Sequence, residues 1–242
     1  MNIWQKFLNI LLPPRCIKCG TILSSKNGLC AECFTKITFI SSPLCRRCGK
    51  PFTDAANIKF DTVQYCGQCL QKKKYLFDLQ RSAFIYDDFS KALILDLKFR
   101  DKTMSAETLA NLLYTAGTDI WKENPDMILP VPIHRLRLLQ RRYNQSALLC
   151  GYLAAKTGIV ADYSVLQRYR NTVPQVQLSG AARRNNLKHA FAVVNPQIIK
   201  GKKILLIDDV STTGSTLNEC AKVLRKAGAA AVYSLTLART SD

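Results

Sequence analysis

The stretch Lys203-Ile204-Leu205-Leu206-Ile207-Asp208-Asp209-Val210-Ser211-Thr212-Thr213-Gly214-Ser215-Thr216 decides the fold. Four apolar, mostly branched residues at 204–207 predict a short buried strand. Two carboxylates follow at its carboxyl end, and a Ser/Thr/Gly turn then opens onto a helical spacing at Leu217, Cys220, Ala221 and Leu224. Ligands of open α/β sheets bind at such an edge.

Each residue type has chemistry to do there. Backbone N–H groups and hydroxyls of the turn, with the positive end of a helix dipole behind them, suit a phosphate monoester. Gly214 allows a close backbone approach. Asp208 and Asp209 can accept hydrogen bonds from vicinal ribose hydroxyls, or hold a Mg²⁺ that bridges to a diphosphate. A capped connection needs one Ser, Thr or Asp; this one has a run of them. The segment closely resembles the phosphoribosyl-diphosphate (PRPP) loop of type I phosphoribosyltransferases. That resemblance implies a doubly wound parallel sheet, Asp208 and Asp209 as the catalytic pair at the ribose, and a PRPP-binding loop from Val210 and Ser211 through Thr212, Thr213, Gly214, Ser215 and Thr216, with Thr212 to Thr216 around the 5′-phosphate.

The 242 residues have room for one α/β domain and something small. Eight of the ten cysteines fall before position 70, and Gln71-Lys72-Lys73-Lys74 makes a polar break. The expected division is a Cys-rich unit at 1–75 and a phosphoribosyltransferase-like unit at 76–242. The net charge is +18, with basic excess in both parts. Such a balance favours polyanionic partners, nucleic acid first. No apolar run approaches the roughly 18 residues of a membrane span. Residues 1–12 are too polar for a secretory leader, so a cytoplasmic protein is expected. Apolar positions 3, 4, 7, 8 and 11 predict a short amphipathic helix, packed on its own domain or lying on a membrane surface as a peripheral contact.

Four pairs share one spacing: Cys16/Cys19, Cys30/Cys33, Cys45/Cys48 and Cys66/Cys69. Two intervening residues let both thiolates bind one tetrahedral zinc, and two such knuckles complete a Cys₄ site. Eight ligands predict two Zn²⁺, structural because four thiolates leave no open position. Cys-Ile-Lys-Cys-Gly at 16–20 repeats as Cys-Arg-Arg-Cys-Gly at 45–49, which favours sequential pairing, 16/19 with 30/33 and 45/48 with 66/69; a cross-braced pairing stays open. Lys18, Arg46, Arg47, Lys50 and Lys59 are either phosphate contacts or a solvated face. Cys150 and Cys220 sit in apolar helical patterns and are expected to be buried.

Between the two features, a strand at 82–86, helices at 89–99 and 105–120, a strand at 126–132 and a helix at 146–156 are expected. Arg141 and Arg142, with Asn144 and Gln145 after them, form a basic loop suited to a diphosphate leaving group. The polar segment from Arg168 to Phe191, with Arg183 and Asn186, reads as a cationic lid. Tyr65, Tyr75, Phe77, Tyr143 and Tyr169 are candidate stacking platforms for bases, or core residues. His134 and His189 read as polar loop positions.

In their order, these segments resemble the ComF family of competence-associated proteins along nearly the whole chain. The shared sequence is a double zinc ribbon, then Pro-Val-Pro at 130–132, an Arg-x-x-Asn-Gln stretch ending at Gln145, Arg-x-x-Asn at 183–186 and the Asp-Asp-Val loop. Here Arg142 and Tyr143 replace the usual Gly-Phe. The resemblance implies handling of single-stranded DNA during natural transformation, PRPP with Mg²⁺ at the transferase-like unit, and Lys98 pointing toward the site. An active phosphoribosyltransferase with an unidentified acceptor, or a ribbon module recruiting a helicase or an uptake channel, are the alternatives.

Overall fold

A computed structural model describes residues 13–24, 28–52, 64–71, 75–99, 103–134, 138–139, 143–169 and 190–240. Its centre is a parallel sheet of five strands: β1 (Leu79–Ile85), β2 (Met127–Pro130), β3 (Val160–Ala161), β6 (Lys203–Ser211) and β7 (Ala231–Arg239), in the order β1-β7-β6-β2-β3. A separate antiparallel pair, β4 (Leu166–Arg168) and β5 (Phe191–Val193), lies beside it. The expected doubly wound parallel sheet is present.

The deciding strand is longer than its apolar run predicts. β6 continues through Asp208, Asp209, Val210 and Ser211, because β7 stays in register with it, pairing Asp208 with Thr236, Val210 with Ala238 and Ser211 with Arg239. Backbone hydrogen bonding sets the end of a strand, and the polar side chains do not interrupt it. Alternation divides the core. Leu205 and Ile207 join one cluster, with Phe84, Leu109, Leu113, Leu149, Leu153, Leu235 and Leu237. Ile204 and Leu206 join the other, with Phe77, Leu129, Phe191, Leu217 and Leu224. A parallel sheet is covered on both faces, so its central strand is apolar throughout.

Helices α3 (Asp88–Phe99), α4 (Thr103–Ala116), α5 (Thr118–Trp121), α6 (Gln145–Thr157), α7 (Pro196–Ile199) and α8 (Ser215–Lys226) supply the layers. The single helix expected at 105–120 is two, broken at Gly117, with the Trp121 ring stacked on Tyr114 and its Nε1 donating to the Tyr114 carbonyl. The residues spaced for a helical face after the loop are those α8 buries: Leu217, Cys220, Ala221 and Leu224.

The two Cys-rich knuckles repeat the same backbone hydrogen bonds. Gly20 N–H donates to Cys16 O and Gly49 N–H to Cys45 O; Cys16 N–H donates to Thr21 O and Cys45 N–H to Lys50 O. Bridges close each knuckle, Arg15 with Ile22 and Leu44 with Pro51. In each ribbon the second cysteine pair opens a short helix, α1 (Ala31–Thr35) after Cys30 and α2 (Gly67–Leu70) after Cys66.

The ribbons are joined to the sheet through its edge. The segment between them runs antiparallel to β1, with Ile40 N–H donating to Ala83 O, Ile85 N–H to Thr38 O, and Phe39 bridging Phe84. Lower down, Gln80 N–H donates to Arg47 O inside the second knuckle. An uncovered edge strand would expose unpaired donors and acceptors. Here the linker and the second knuckle occupy them. Arg81 reinforces this seam, reaching Arg46 O and pairing with Asp119 at 2.8 Å.

Candidate phosphate cradle and cysteine centres

Local chemistry shapes the loop after β6. Gly214 has φ +69°, and a Cβ there would meet Tyr75, Gln80 and Phe77 only at 3.7–3.9 Å, ordinary contact. Glycine is therefore needed for the left-handed turn rather than for space. The turn points Gly214 O at Asn218 N–H, 2.9 Å, and starts α8. Thr213 Oγ1 and Ser215 Oγ lie 2.6 Å apart, so two of the predicted phosphate ligands hold one another. With the α8 N-terminus behind them, the loop hydroxyls and N–H groups form a concentration of donors.

The acidic pair is fixed from its own backbone and from α6. Asp208 Oδ1 accepts from Asp209 N–H at 3.0 Å and lies 3.2 Å from Ser146 Oγ. Asp209 Oδ1 accepts from Val210 N–H at 2.7 Å. Asn144 caps α6, its side-chain oxygen taking Ser146 N–H while its Nδ2 donates to Val131 O. That residue thus ties the Pro-Val-Pro strand end to the helix beside Asp208. Gln145 is buried, and its Nε2 has no acceptor among the described residues. Cys150 and Cys220 are fully buried; burial first, and the Asp208 charge second, raise both thiols well above their usual range. They are neutral core residues, as expected.

The cysteines fall into two groups, Cys16, Cys19, Cys30 and Cys33, and Cys45, Cys48, Cys66 and Cys69, with all sulfurs of a group within 4.8 Å. The grouping is sequential. Zn–S bonds of about 2.3 Å in a tetrahedron put sulfurs about 3.8 Å apart. Cys19 to Cys30 is 3.7 Å and Cys48 to Cys66 is 3.6 Å. The donor sets fit zinc. A hydrogen bond from the Cys48 thiol, foremost, pulls Cys45 down to about 4, while burial pushes Cys33 and Cys69 up to about 12. Four thiolates this close need a cation before all can ionise, and zinc binding would release those protons.

The second centre stands against the phosphate loop. A small cleft is lined by Cys48, Lys50, Gln68 and Tyr75 from the ribbon side and by Gln80, Ser211, Thr212, Thr213, Gly214 and Arg239 from the sheet side. Tyr75 packs on the cysteine cluster and stacks on Phe77, ring centroids 4.8 Å apart. Arg239 donates to Cys48 O. Sequence reasoning left out Gln80 and Arg239. Arg239 has one signal, being the only charged residue of its strand, directly after Leu235-Thr236-Leu237-Ala238; Gln80, followed by Arg81 and Ser82, has none.

The other predicted site residues are distributed as follows. Asn144 and Gln145 stand beside Asp208 at the sheet edge. Lys98 belongs to α3, but its side chain lies outside the described residues, as do Arg141, Arg142, Arg183 and Asn186, residues 170–189 of the predicted lid, Lys59, His189 and the helix predicted before residue 12; the two ends of the lid segment are strand and not loop, with Arg168 of β4 paired to Phe191 of β5. Of the aromatic candidates, Phe77 is core, 1% exposed, and Tyr143 is tied by its hydroxyl to Leu97 O. Tyr65 is exposed with the Arg47 guanidinium over it, and Tyr169 is exposed.

Comparison with known proteins matches residues 7–70 to the double zinc ribbon domain and residues 143–242 to the phosphoribosyl transferase domain. The chain is 37% identical to competence protein F of Haemophilus influenzae, covering 93% of this chain and 96% of that protein. It is 34% identical to the DNA utilization protein YhgH of Escherichia coli, with 96% and 99% covered. It is 25% identical to competence protein ComFC of Bacillus subtilis, with 90% and 87% covered. Among solved structures, a glutamine PRPP amidotransferase from B. subtilis matches 58% of this chain and 30% of its own at 18% identity and TM-score 0.40. A hypoxanthine phosphoribosyltransferase from Staphylococcus aureus matches 55% and 64% at 13% identity and TM-score 0.35.

Proposed function

The chain belongs to the ComF family of competence protein F, and from that premise we propose that it acts in DNA uptake, binding single-stranded DNA and binding PRPP with Mg²⁺ at the loop after β6. The observation that carries the phosphoribosyl part is the Asp208–Thr216 segment, at the C-terminal sheet edge and the start of α8. In this reading the loop N–H groups and the Thr212, Thr213 and Ser215 hydroxyls hold the 5′-phosphate. Asp208 and Asp209 accept the ribose hydroxyls, with Ser146 fixing the first carboxylate. Mg²⁺ supplies charge neutralisation at the diphosphate. By their charge Arg141, Arg142 and Lys98 are assigned to the same diphosphate, with Arg183 and Asn186 as lid residues.

The DNA part rests on the relatives' names and on the net charge of +18. The double zinc ribbon, taken as residues 1–75, and the transferase-like unit, 76–242, both carry the basic excess. No helix among the described residues is long and apolar enough to cross a membrane. A cytoplasmic protein, peripheral at the membrane through residues 1–12, is consistent with this.

Calorimetry with PRPP and Mg²⁺ tests the site. Replacing Asp208 and Asp209 with Ala removes two charge-assisted acceptors, each about 1.5–3 kcal/mol, so affinity should fall at least tenfold. Unchanged affinity would remove the phosphoribosyl reading. Diphosphate release from PRPP with a panel of acceptors separates binding from turnover.

A further inference from the structure

Two of the side chains that line the cleft between the second cysteine centre and the phosphate loop, Gln80 and Arg239, hold buried N–H groups with no hydrogen-bond partner among the described residues. Arg239 is 8% exposed. Its Nη1 donates to Cys48 O, and its Nε has no partner among the described residues. No carboxylate pairs with it among the described residues. Gln80, 2% exposed, lines the same cleft, and its Nε2 has no acceptor among the described residues. Lys50, half-buried, contributes a third donor to the lining. A buried guanidinium without a counter-anion is strongly unfavourable, and buried N–H groups are nearly always satisfied.

Part of the counter-charge is at hand. A zinc-loaded tetrathiolate is net negative, and Arg239 lies beside it, donating to Cys48 O. That field acts at a distance. It supplies no hydrogen-bond acceptor for Arg239 Nε or Gln80 Nε2, whose requirement is directional. The internal repeat sharpens the point. Where the first ribbon has Thr21, its hydroxyl 3.1 Å from Cys19 Sγ, the second has Lys50, whose side chain lines the cleft instead. One knuckle spends that position on its own ligand, and the other presents a cation.

We propose that this cleft is a second anion site, taking a phosphate group between Lys50, Gln80 and Arg239. Two cations and a neutral donor suit a tetrahedral oxyanion of multiple charge, whereas a single water would meet the donors but leave the cations unbalanced. The site is built from residues 50, 80 and 239, apart from the Asp208/Asp209 pair, and does not rest on the phosphoribosyl reading. The phosphate is either free or the terminal phosphate of a DNA strand.

The test uses the zinc-loaded full chain without Mg²⁺, titrated with inorganic phosphate at constant ionic strength and followed by ³¹P line broadening and calorimetry. Saturable binding is expected. Lys50→Thr, which restores the first ribbon's residue at a half-exposed position, and Gln80→Leu should each weaken it about three- to tenfold, Arg239→Gln at least as much. Zinc content and melting curves check that each variant is folded. Asp208→Asn with Asp209→Asn should leave phosphate affinity intact while lowering PRPP affinity, so this site and the phosphoribosyl reading fail separately. A short oligonucleotide with and without a 5′-phosphate distinguishes the sources. Tighter binding of the phosphorylated strand, lost in Lys50→Thr, supports the site as a strand-end site; equal binding with retained phosphate affinity supports it as a site for free phosphate. Absence of saturable phosphate binding, or affinity unchanged in both Lys50→Thr and Gln80→Leu, would overturn the proposal.

Discussion

Gly20 and Gly49 close equivalent knuckles, and replacing each with Ala separates what a knuckle needs from what docking needs. Both have left-handed φ, +78° and +64°, and both donate from N–H to the first cysteine of their pair. An alanine in that region costs about 1–2 kcal/mol. At Gly20 nothing lies within 4 Å of the new Cβ, so the conformational term is the whole cost. At Gly49 the Cβ would sit 2.6 Å from Gln80 O and 3.5 Å from Arg81 Cα, both backbone atoms of β1. Backbone cannot rotate away, so the knuckle must lift from the edge strand. That lift would strain Gln80 N–H to Arg47 O and Arg239 to Cys48 O. Overpacking adds about 1–3 kcal/mol, bringing Gly49→Ala to about 2–5 kcal/mol against about 1–2 for Gly20→Ala. Urea unfolding of the two zinc-loaded variants, read by far-UV circular dichroism and by zinc release to a chromogenic chelator, measures both. Equal destabilisation would refute the docking of the second knuckle on β1.

Zinc analysis should return two ions per chain, and Cys66→Ser should leave one; full occupancy in that variant would contradict the sequential groups. Chelation should unfold the ribbons and also lower the melting temperature of the sheet, because the linker and second knuckle cover its edge; a sheet transition that does not move would show the edge to be self-sufficient. Asp162 accepts from Ser164 N–H, 2.7 Å, and Val165 N–H, 2.8 Å, and although burial opposes it, these bonds hold its carboxyl below the usual range. The folded pKa is depressed, so the stabilisation is present above the unfolded value of about 3.9 and is lost as pH falls through the folded one. Asp162→Ala should therefore cost about 1 kcal/mol at neutral pH, as a lost cap does, with the difference shrinking in acid; a pH-independent difference would count against it. Binding to single-stranded DNA should weaken steeply with added salt, as counterion release requires; a flat response in fluorescence anisotropy would remove the electrostatic basis of the DNA reading.

Much of the molecule is legible in the chain because the signals are local. The Cys-x-x-Cys-Gly repeat names its ligands and its turn, since a knuckle is made by residues within hydrogen-bonding reach of one another. Ile204 to Ile207 read as buried strand and Leu217, Cys220, Ala221 and Leu224 as a helical face, because period alone places them. The extension of β6 through Asp208 to Ser211 was not legible. It depends on β7, whose partner residues lie more than twenty positions away. Which cysteine pairs share a centre was likewise open from spacing, and the fold closes it.

The ligands, the loop and the order of the units are all properties of short runs of chain and can be read along it. Packing of distant segments sets the second ribbon on the sheet edge beside the phosphate loop and brings Lys50, Gln80 and Arg239 to one cleft. Each looks unremarkable in its own segment: a lysine after a knuckle, a glutamine in a strand, an arginine at a strand end. Their shared environment arises because the unpaired backbone of β1 must be covered, and the nearest chain able to cover it is the ribbon that precedes it.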